Sequence, residues 1–147
     1  MNNAGIFFAK PFTEFTAEDF EALSTVHLEG FLYVTQGAVR RMLAQNRGGS
    51  VIGITSSTIV NPIAGGLGSV PMLTKGGIEA ITRSLAIEYA KQHIRFNAVA
   101  PGIVDTPMHA NEAQVSPIGF SLTVARIERR SPSAPGATST AGRDEFR

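Results

Sequence analysis

Apolar residues recur at helical spacing from Phe20 onward: Phe20, Leu23, His27, Phe31, Val34, Ala38 and Met42 follow in steps of three and four. That period predicts one long amphipathic helix from Ala17 to about Gln45. Thr16 as N-cap, with acidic residues in the first turn, marks its start, and Asn46-Arg47-Gly48-Gly49 its end. Gly30 and Gly37 each cost about 1 kcal/mol relative to alanine inside a helix, so close packing against a neighbour is the expected reason for them. A second stripe, Ile78, Ile81, Leu85 and Tyr89, predicts a helix from about Met72 to Gln92. Val51–Thr55 and Ile94–Val99 are short, apolar and rich in β-branched residues, and read as strands. The Gly/Pro-rich stretch Ser56 to Val70 connects the first strand to the second helix, and Pro101-Gly102 closes the second strand. Strand, helix, strand makes a βαβ unit, which implies a parallel pair with a right-handed crossover. The expected core is Phe20, Leu23, Phe31, Val34, Val51, Ile52, Ile54, Ile78, Ile81, Leu85, Phe96 and Val99.

Outside that frame the pattern is weaker. Asn2-Asn3-Ala4-Gly5 suits a turn at a strand end, and Ile6-Phe7-Phe8 is too short to settle as a strand. Met108 to Leu122 has no sustained period, and Ser131 to Arg147 is mostly Ser, Pro, Ala, Gly and Thr. Such a composition cannot bury enough apolar surface to offset its ordering entropy. The expected organisation is therefore a domain over residues 1–109 and a disordered, dispensable tail over 110–147.

Composition narrows the function classes. A chain of 147 residues, 43% hydrophobic and 17% charged, is an ordinary globular one with room for one core. Its formal net charge of +1 offers no electrostatic footprint for nucleic acid or an acidic membrane. There is no cysteine, and His27, His93 and His109 are scattered, so disulfides, thiolate chemistry and a metal site are not expected. No apolar run approaches the length of a membrane span and the N-terminus has no signal-peptide pattern, so the expected location is cytoplasmic. One lysine stands out. Lys75 falls in the first turn of the second predicted helix, where the macrodipole disfavours a cation by about 0.3–1 kcal/mol. Position alone is also consistent with a solvated surface lysine.

Several stretches, taken together, resemble the short-chain dehydrogenase/reductases. They are Asn2-Asn3-Ala4-Gly5, Phe31 with Thr35-Gln36, Gly49–Ser56, Thr74-Lys75-Gly76-Gly77, Ser84–Glu88, and Arg95–Gly102 running on to Thr106-Pro107. Each motif is weak alone, but the set spans Asn2 to about His109 in the family's order and near its spacing. The resemblance implies an α/β fold, a partial doubly wound parallel sheet of Rossmann type without its N-terminal half. It implies NAD or NADP as cofactor and hydride transfer between nicotinamide and an alcohol or carbonyl substrate. In the family a tyrosine is the general acid/base, and a lysine four residues later lowers its pKa and holds the nicotinamide ribose. A serine hydrogen-bonds the reacting oxygen, and an asparagine in the long helix anchors a proton relay. Carried over, the lysine is Lys75 and the serine Ser56, or Ser57 if the loop register slips. Asn3, Ala4 and Gly5 match the turn beside the cofactor's adenosine half, and Pro101, Gly102 and Thr106 the segment flanking nicotinamide and pyrophosphate. Family members also commonly dimerise through their two long helices, which implies self-association through residues 17–45 and 72–92.

The sequence departs from the family at three places. Pro71, with no ionisable group, stands where the tyrosine belongs. His27 replaces the relay asparagine, and on an apolar stripe its ordinary reading is a core histidine. No Gly-x-Gly-x-x-Gly opens a helix anywhere in the chain, and Met1 stands about where the family's fourth strand should end. Gly65, Gly66 and Gly68 imitate a phosphate loop only superficially, because no Lys-Ser/Thr pair follows at the required spacing.

Overall fold

A computed structural model describes residues 1–102 and 104. Thr106, His109 and the whole of the expected tail lie outside the described residues. The elements run α1 (Ala17–Ser24), a π turn (Thr25–Glu29), α2 (Gly30–Gln45), β1 (Gly49–Ile54), α3 (Ser69–Glu88) and β2 (Ile94–Val99), with short 3-10 turns between. β1 and β2 pair in parallel, in register from Gly49 opposite Ile94 to Ile54 opposite Val99. The expected βαβ unit is therefore present, and the chain has an α/β fold with a parallel pair. Asn2 adds one parallel bridge to Gly53, its N–H donating to the Ile52 carbonyl at 2.8 Å and its carbonyl accepting from Ile54 at 3.2 Å.

The helix ends follow from local chemistry. Thr16 Oγ1 accepts from the Asp19 N–H at 3.2 Å while Asp19 accepts from the Thr16 N–H at 3.0 Å, a reciprocal capping box. Lys10 joins Asp19 at 2.6 Å, and that hydrogen bond is the main reason the Asp19 carboxyl lies below its ordinary range. At the far end Asn46 caps α2 in the left-handed region at φ 49°. Gly48 follows at φ 68°, where an added Cβ would come within 2.6 Å of the His93 carbonyl oxygen. Both the conformation and the space there demand glycine.

The long predicted helix is continuous in outline, but its buried stripe is not the expected one. Leu23, His27, Phe31, Thr35 and Val39 are buried, whereas Val34 is 62% exposed. Each step of four carries an ideal α-helix about 40° past a full turn, so four such steps should leave the face. The wider π turn takes up that drift, which swings Val34 outward and brings Thr35 and Val39 in. Phe20 is likewise 44% exposed rather than core. It lies in the first turn of α1, which is buried at Leu23 alone. Nor do Gly30 and Gly37 mark close approaches. A Cβ at Gly37 would meet nothing within 4 Å, and one at Gly30 only its own turn's Thr25 carbonyl. Close approach occurs at Gly53 instead, where a Cβ would lie 3.0 Å from the Phe31 ring and 3.2 Å from Ile78.

α2 and α3 cover the same side of the sheet. Val39 and Met42 from α2, with Leu85 and Ala86 from α3 and the adjoining Tyr89, pack on Val51, Ile94 and Phe96. Tyr89 meets the Phe96 ring at 5.9 Å between centroids. The opposite side carries Ile52, Ile54 and Val99, which are only half-buried. The sequence pattern places them in the core, but strand alternation turns them away from the side on which both helices pack. Ile81 and Leu85 are half-buried too, because the buried stripe of α3 is Val70, Pro71, Thr74, Ile78 and Thr82.

Candidate functional site

The C-terminal ends of β1 and β2 lie side by side, where parallel α/β sheets bind ligands. Beyond β1, the Thr55 N–H donates to the Val99 carbonyl at 2.8 Å and the Ser57 N–H to the Pro101 carbonyl at 2.9 Å. These two bonds bring the Ser56-Ser57 corner next to Pro101 and Gly102. Ser56 is extended and caps the 3-10 turn Ser57–Ile59, its hydroxyl 2.7 Å from Thr58 Oγ1. Thr58 in turn reaches the Met72 sulfur at 2.7 Å, which fixes the corner against the start of α3.

Lys75 arrives from α3. The helix begins at Ser69, earlier than the apolar stripe suggests, because Pro71 fits the first turn, where no N–H is needed. Lys75 is therefore in the second turn, not the first, where the macrodipole's penalty on a cation is smaller. The side chain is unusual for another reason. Its Nζ is part-buried and donates to the carbonyl of Ile54, the last residue of β1, at 2.9 Å. Burial lowers its pKa. A Cβ on Gly5 would sit 3.4 Å from Lys75 Nζ and 3.5 Å from His27 Nε2, so Gly5, Lys75 and His27 meet at one point. Asn3 and Ala4, by contrast, are exposed.

His27 lies in the π turn and is 1% exposed. The Ile6 N–H donates to its Nε2 at 3.2 Å, so that nitrogen is unprotonated and the proton resides on Nδ1. Nδ1–H then donates to Thr74 Oγ1 at 2.7 Å, and Thr74 Oγ1 donates to the Pro71 carbonyl at 3.0 Å. Burial, and secondarily the Lys75 charge, push the His27 pKa down to about 4. The ring is thus neutral with both nitrogens engaged, and its chain of hydrogen bonds ends on a carbonyl that has no proton to pass. It ties the N-terminal segment to α3, as a core histidine does. Thr74 is the residue that sequence reasoning overlooked: it lies on the Pro71, Thr74, Ile78, Thr82 stripe, but threonine reads as polar.

For a dinucleotide the fit is one-sided. Lys75 and Gly5 leave an amine donor at the sheet's carboxyl end. The α3 N-terminus, the glycine-rich helix opening, is not suited to a phosphate. Gly68 lies 3.1 Å, measured from its would-be Cβ, from the Phe7 ring, and Pro71 removes one of the N–H groups an anion would need. The described residues therefore do not make a whole cofactor site. Among them no helix is long and apolar enough to cross a membrane, and no cluster of His, Asp or Glu could hold a metal ion.

Comparisons with known proteins agree with this architecture. A tropinone reductase homologue of Arabidopsis thaliana is 38% identical over 121 residues, which is 82% of this chain and 44% of that protein. The gluconate 5-dehydrogenase of Burkholderia cenocepacia, solved with NADP and tartrate, superposes with a TM-score of 0.67 at 31% identity, covering 74% of this chain and 42% of that one. A 4-hydroxyisoleucine dehydrogenase solved with NADH superposes at 0.64 over 71% of this chain and 50% of its own, and at 24% identity this is a likeness of fold alone. The chain thus spans less than half the length of the first two. A family model described as enoyl-(acyl carrier protein) reductase matches residues 1–134. With the parallel βαβ unit and that match, the chain belongs to the short-chain dehydrogenase/reductase family of Rossmann-type oxidoreductases.

Proposed function

We propose that these 147 residues form a non-catalytic member of an oxidoreductase family, keeping the nicotinamide and substrate side of the scaffold without its acid/base group. Pro71 carries the reading. It stands four residues before Lys75, is fully buried, and offers only a carbonyl already bound by Thr74. Hydride transfer between nicotinamide and an alcohol or carbonyl needs a group that moves the hydroxyl proton. Losing a positioned acid/base typically costs about 10²–10⁴-fold in rate. His27 is no substitute, being sequestered and neutral. In the family's scheme Lys75 would face the ribose of NAD or NADP, and Ser56 or Ser57 the reacting oxygen. Asn3, Ala4 and Gly5 would lie toward the adenosine half, and Pro101, Gly102 and Thr106 would flank nicotinamide and pyrophosphate. The cytoplasm is the location this reading assumes.

The test is to titrate NADH and NADPH against the purified chain by fluorescence and to assay a panel of alcohols and ketones. Weak binding and no turnover are expected, with recovery only when Pro71→Tyr is combined with a Gly-rich dinucleotide-binding half joined ahead of residue 1. Turnover by the unaltered chain that vanishes in Lys75→Ala would overturn the proposal.

What such a scaffold could still do is associate. A groove of about 280 Å³ runs between α2 and α3, lined by Phe31, Thr35, Val39, Leu43, Ile81 and Leu85. Thr35 Oγ1 is buried there without a partner among the described residues, and Leu43 is 41% exposed. These features favour self-association through the helices at 17–45 and 72–92. Sedimentation velocity should find a dimer that Leu43→Glu dissociates; a monomer at all concentrations would remove this reading.

A further inference from the structure

We propose that Lys75 is a nucleophilic amine that captures small uncharged aldehydes as an imine. This goes beyond the proposed function and needs neither dinucleotide nor turnover.

Three observations place a reactive amine there. First, Lys75 Nζ has no carboxylate within ion-pair distance among the described residues, whose ion pairs join Lys10 to Asp19 and Arg83 to Glu79. Its one hydrogen bond is to the Ile54 carbonyl, which accepts a single N–H and can be kept by the neutral amine. Second, among the described residues the elements that meet it bring no anion. The N-terminal segment offers Gly5, β1 the Ile54 carbonyl, and the π turn the neutral His27 ring, whose Nε2 already accepts from Ile6. Third, position 71, from which the family's phenol would engage the lysine, holds proline. Burial without a counter-charge favours the uncharged amine, the state that attacks carbonyl carbon, and this is how lysines become nucleophiles. The Lys75 side chain is half-buried, not sealed in the core. A neutral aldehyde is the class that fits, because among the described residues no second cation stands beside Lys75 to hold a phosphate or carboxylate.

The step balances without a co-reactant. The Nζ lone pair forms a C–N bond to the aldehyde carbon, the carbonyl oxygen takes up protons and leaves as water, and C=N replaces C=O. Nζ gives up both of its hydrogens in the process, and nothing is oxidised or reduced.

The chain has three lysines, Lys10, Lys75 and Lys91, so the other two are internal references. The intact protein is incubated with benzaldehyde or propanal at neutral pH, trapped with cyanoborohydride, digested and mapped by mass spectrometry. The α-amine of Met1 is followed separately on its own peptide. The expected result is a several-fold excess of adduct on Lys75 over Lys10 and Lys91, an excess that extends to lower pH than labelling of Lys91 and disappears in 8 M urea. Lys75→Arg should lose that adduct alone. Equal labelling of the three lysines, or a Lys75 excess that persists in urea, would overturn the proposal. Because the comparison is made within the unaltered chain, it stands even if Lys75→Arg fails to fold.

Discussion

The two ends of the β1–β2 pair are built from different materials. Near the strand starts, Val39, Val51, Ile94 and Phe96 are buried against one another and against Met42, Leu85, Ala86 and Tyr89, almost without polar atoms. Near the strand ends, Ala98, Ala100 and Ile78 are joined by the buried polar residues Thr55, Thr74 and His27, with Pro71 and the part-buried Lys75 beside them. The first cluster is held by dispersion and by apolar area removed from water, which are non-directional. In the second, each buried polar group must find a partner, and the bonds from Ile6 through His27 and Thr74 to Pro71 supply them. The apolar end can tolerate change of shape in proportion to volume. The polar end should instead respond to the loss of single partners and to pH.

The largest effect belongs to the apolar end. Phe96 is 2% exposed and packs against the tilted Tyr89 ring, so Phe96→Ala should cost about 3–5 kcal/mol as transfer and cavity terms add. Leu85→Ala, at a half-buried edge of the same cluster, should fall near the low end of about 2–5 kcal/mol. Urea unfolding of the two variants checks this. A Leu85 cost equal to or above that of Phe96 would mean the cluster is not centred where the packing puts it.

The polar end should reveal itself through acid. Folded His27 titrates at about 4 against an ordinary 6.5. Between those values the unfolded chain binds a proton the folded chain refuses, so stability rises with pH. The contribution is fully present above about 6.5 and is progressively lost as pH falls to about 4, and with about 1.4 kcal/mol per pKa unit it reaches about 3 kcal/mol. Glu18 and Asp19 add to this only at its acid end and below, since their carboxyls are lowered from the ordinary 4.5 and 3.8. Urea midpoints measured from pH 7 to 4.5 should decline in the unaltered chain and stay flatter in His27→Asn. If both decline alike, another group is responsible.

This difference between the ends also decided what could be read from the sequence. The strands, their parallel pairing and the Thr16 cap follow from β-branched runs and one N-cap residue, and the structure agrees. A binary pattern with a uniform period, however, knows nothing of the π turn. It therefore chose Val34 over Thr35 and Val39, one residue out of phase. It also scored Thr35, Thr74 and Thr82 as polar when all three are buried. Lys75 stands out in the sequence through a helix start placed three residues too late. The partners that define its chemistry, the Ile54 carbonyl and the neutral His27 ring, come from distant chain and a backbone atom. Neither leaves a signature in side-chain order.

Two threonines about two turns apart on the same stripe of α3 sharpen the contrast. Thr74 Oγ1 links two elements, taking the His27 proton donor and bonding the Pro71 carbonyl. Thr74→Val keeps the shape but strands the His27 Nδ1–H in the interior, an orphan that should cost about 1–3 kcal/mol. Thr82 is equally buried, yet its hydroxyl bonds only the Ile78 carbonyl, one turn back at 2.7 Å. That carbonyl also lies where the helix's own i to i+4 bond from the Thr82 N–H is made, so Thr82→Val leaves no unpaired donor. Valine and threonine have similar helix propensities, and the expected cost is within about 0.5 kcal/mol. Unfolding both variants side by side at pH 7 decides whether the linking bond or mere burial matters. Equal costs for Thr74→Val and Thr82→Val would show that the polar end is held by packing after all, with the histidine network a passenger.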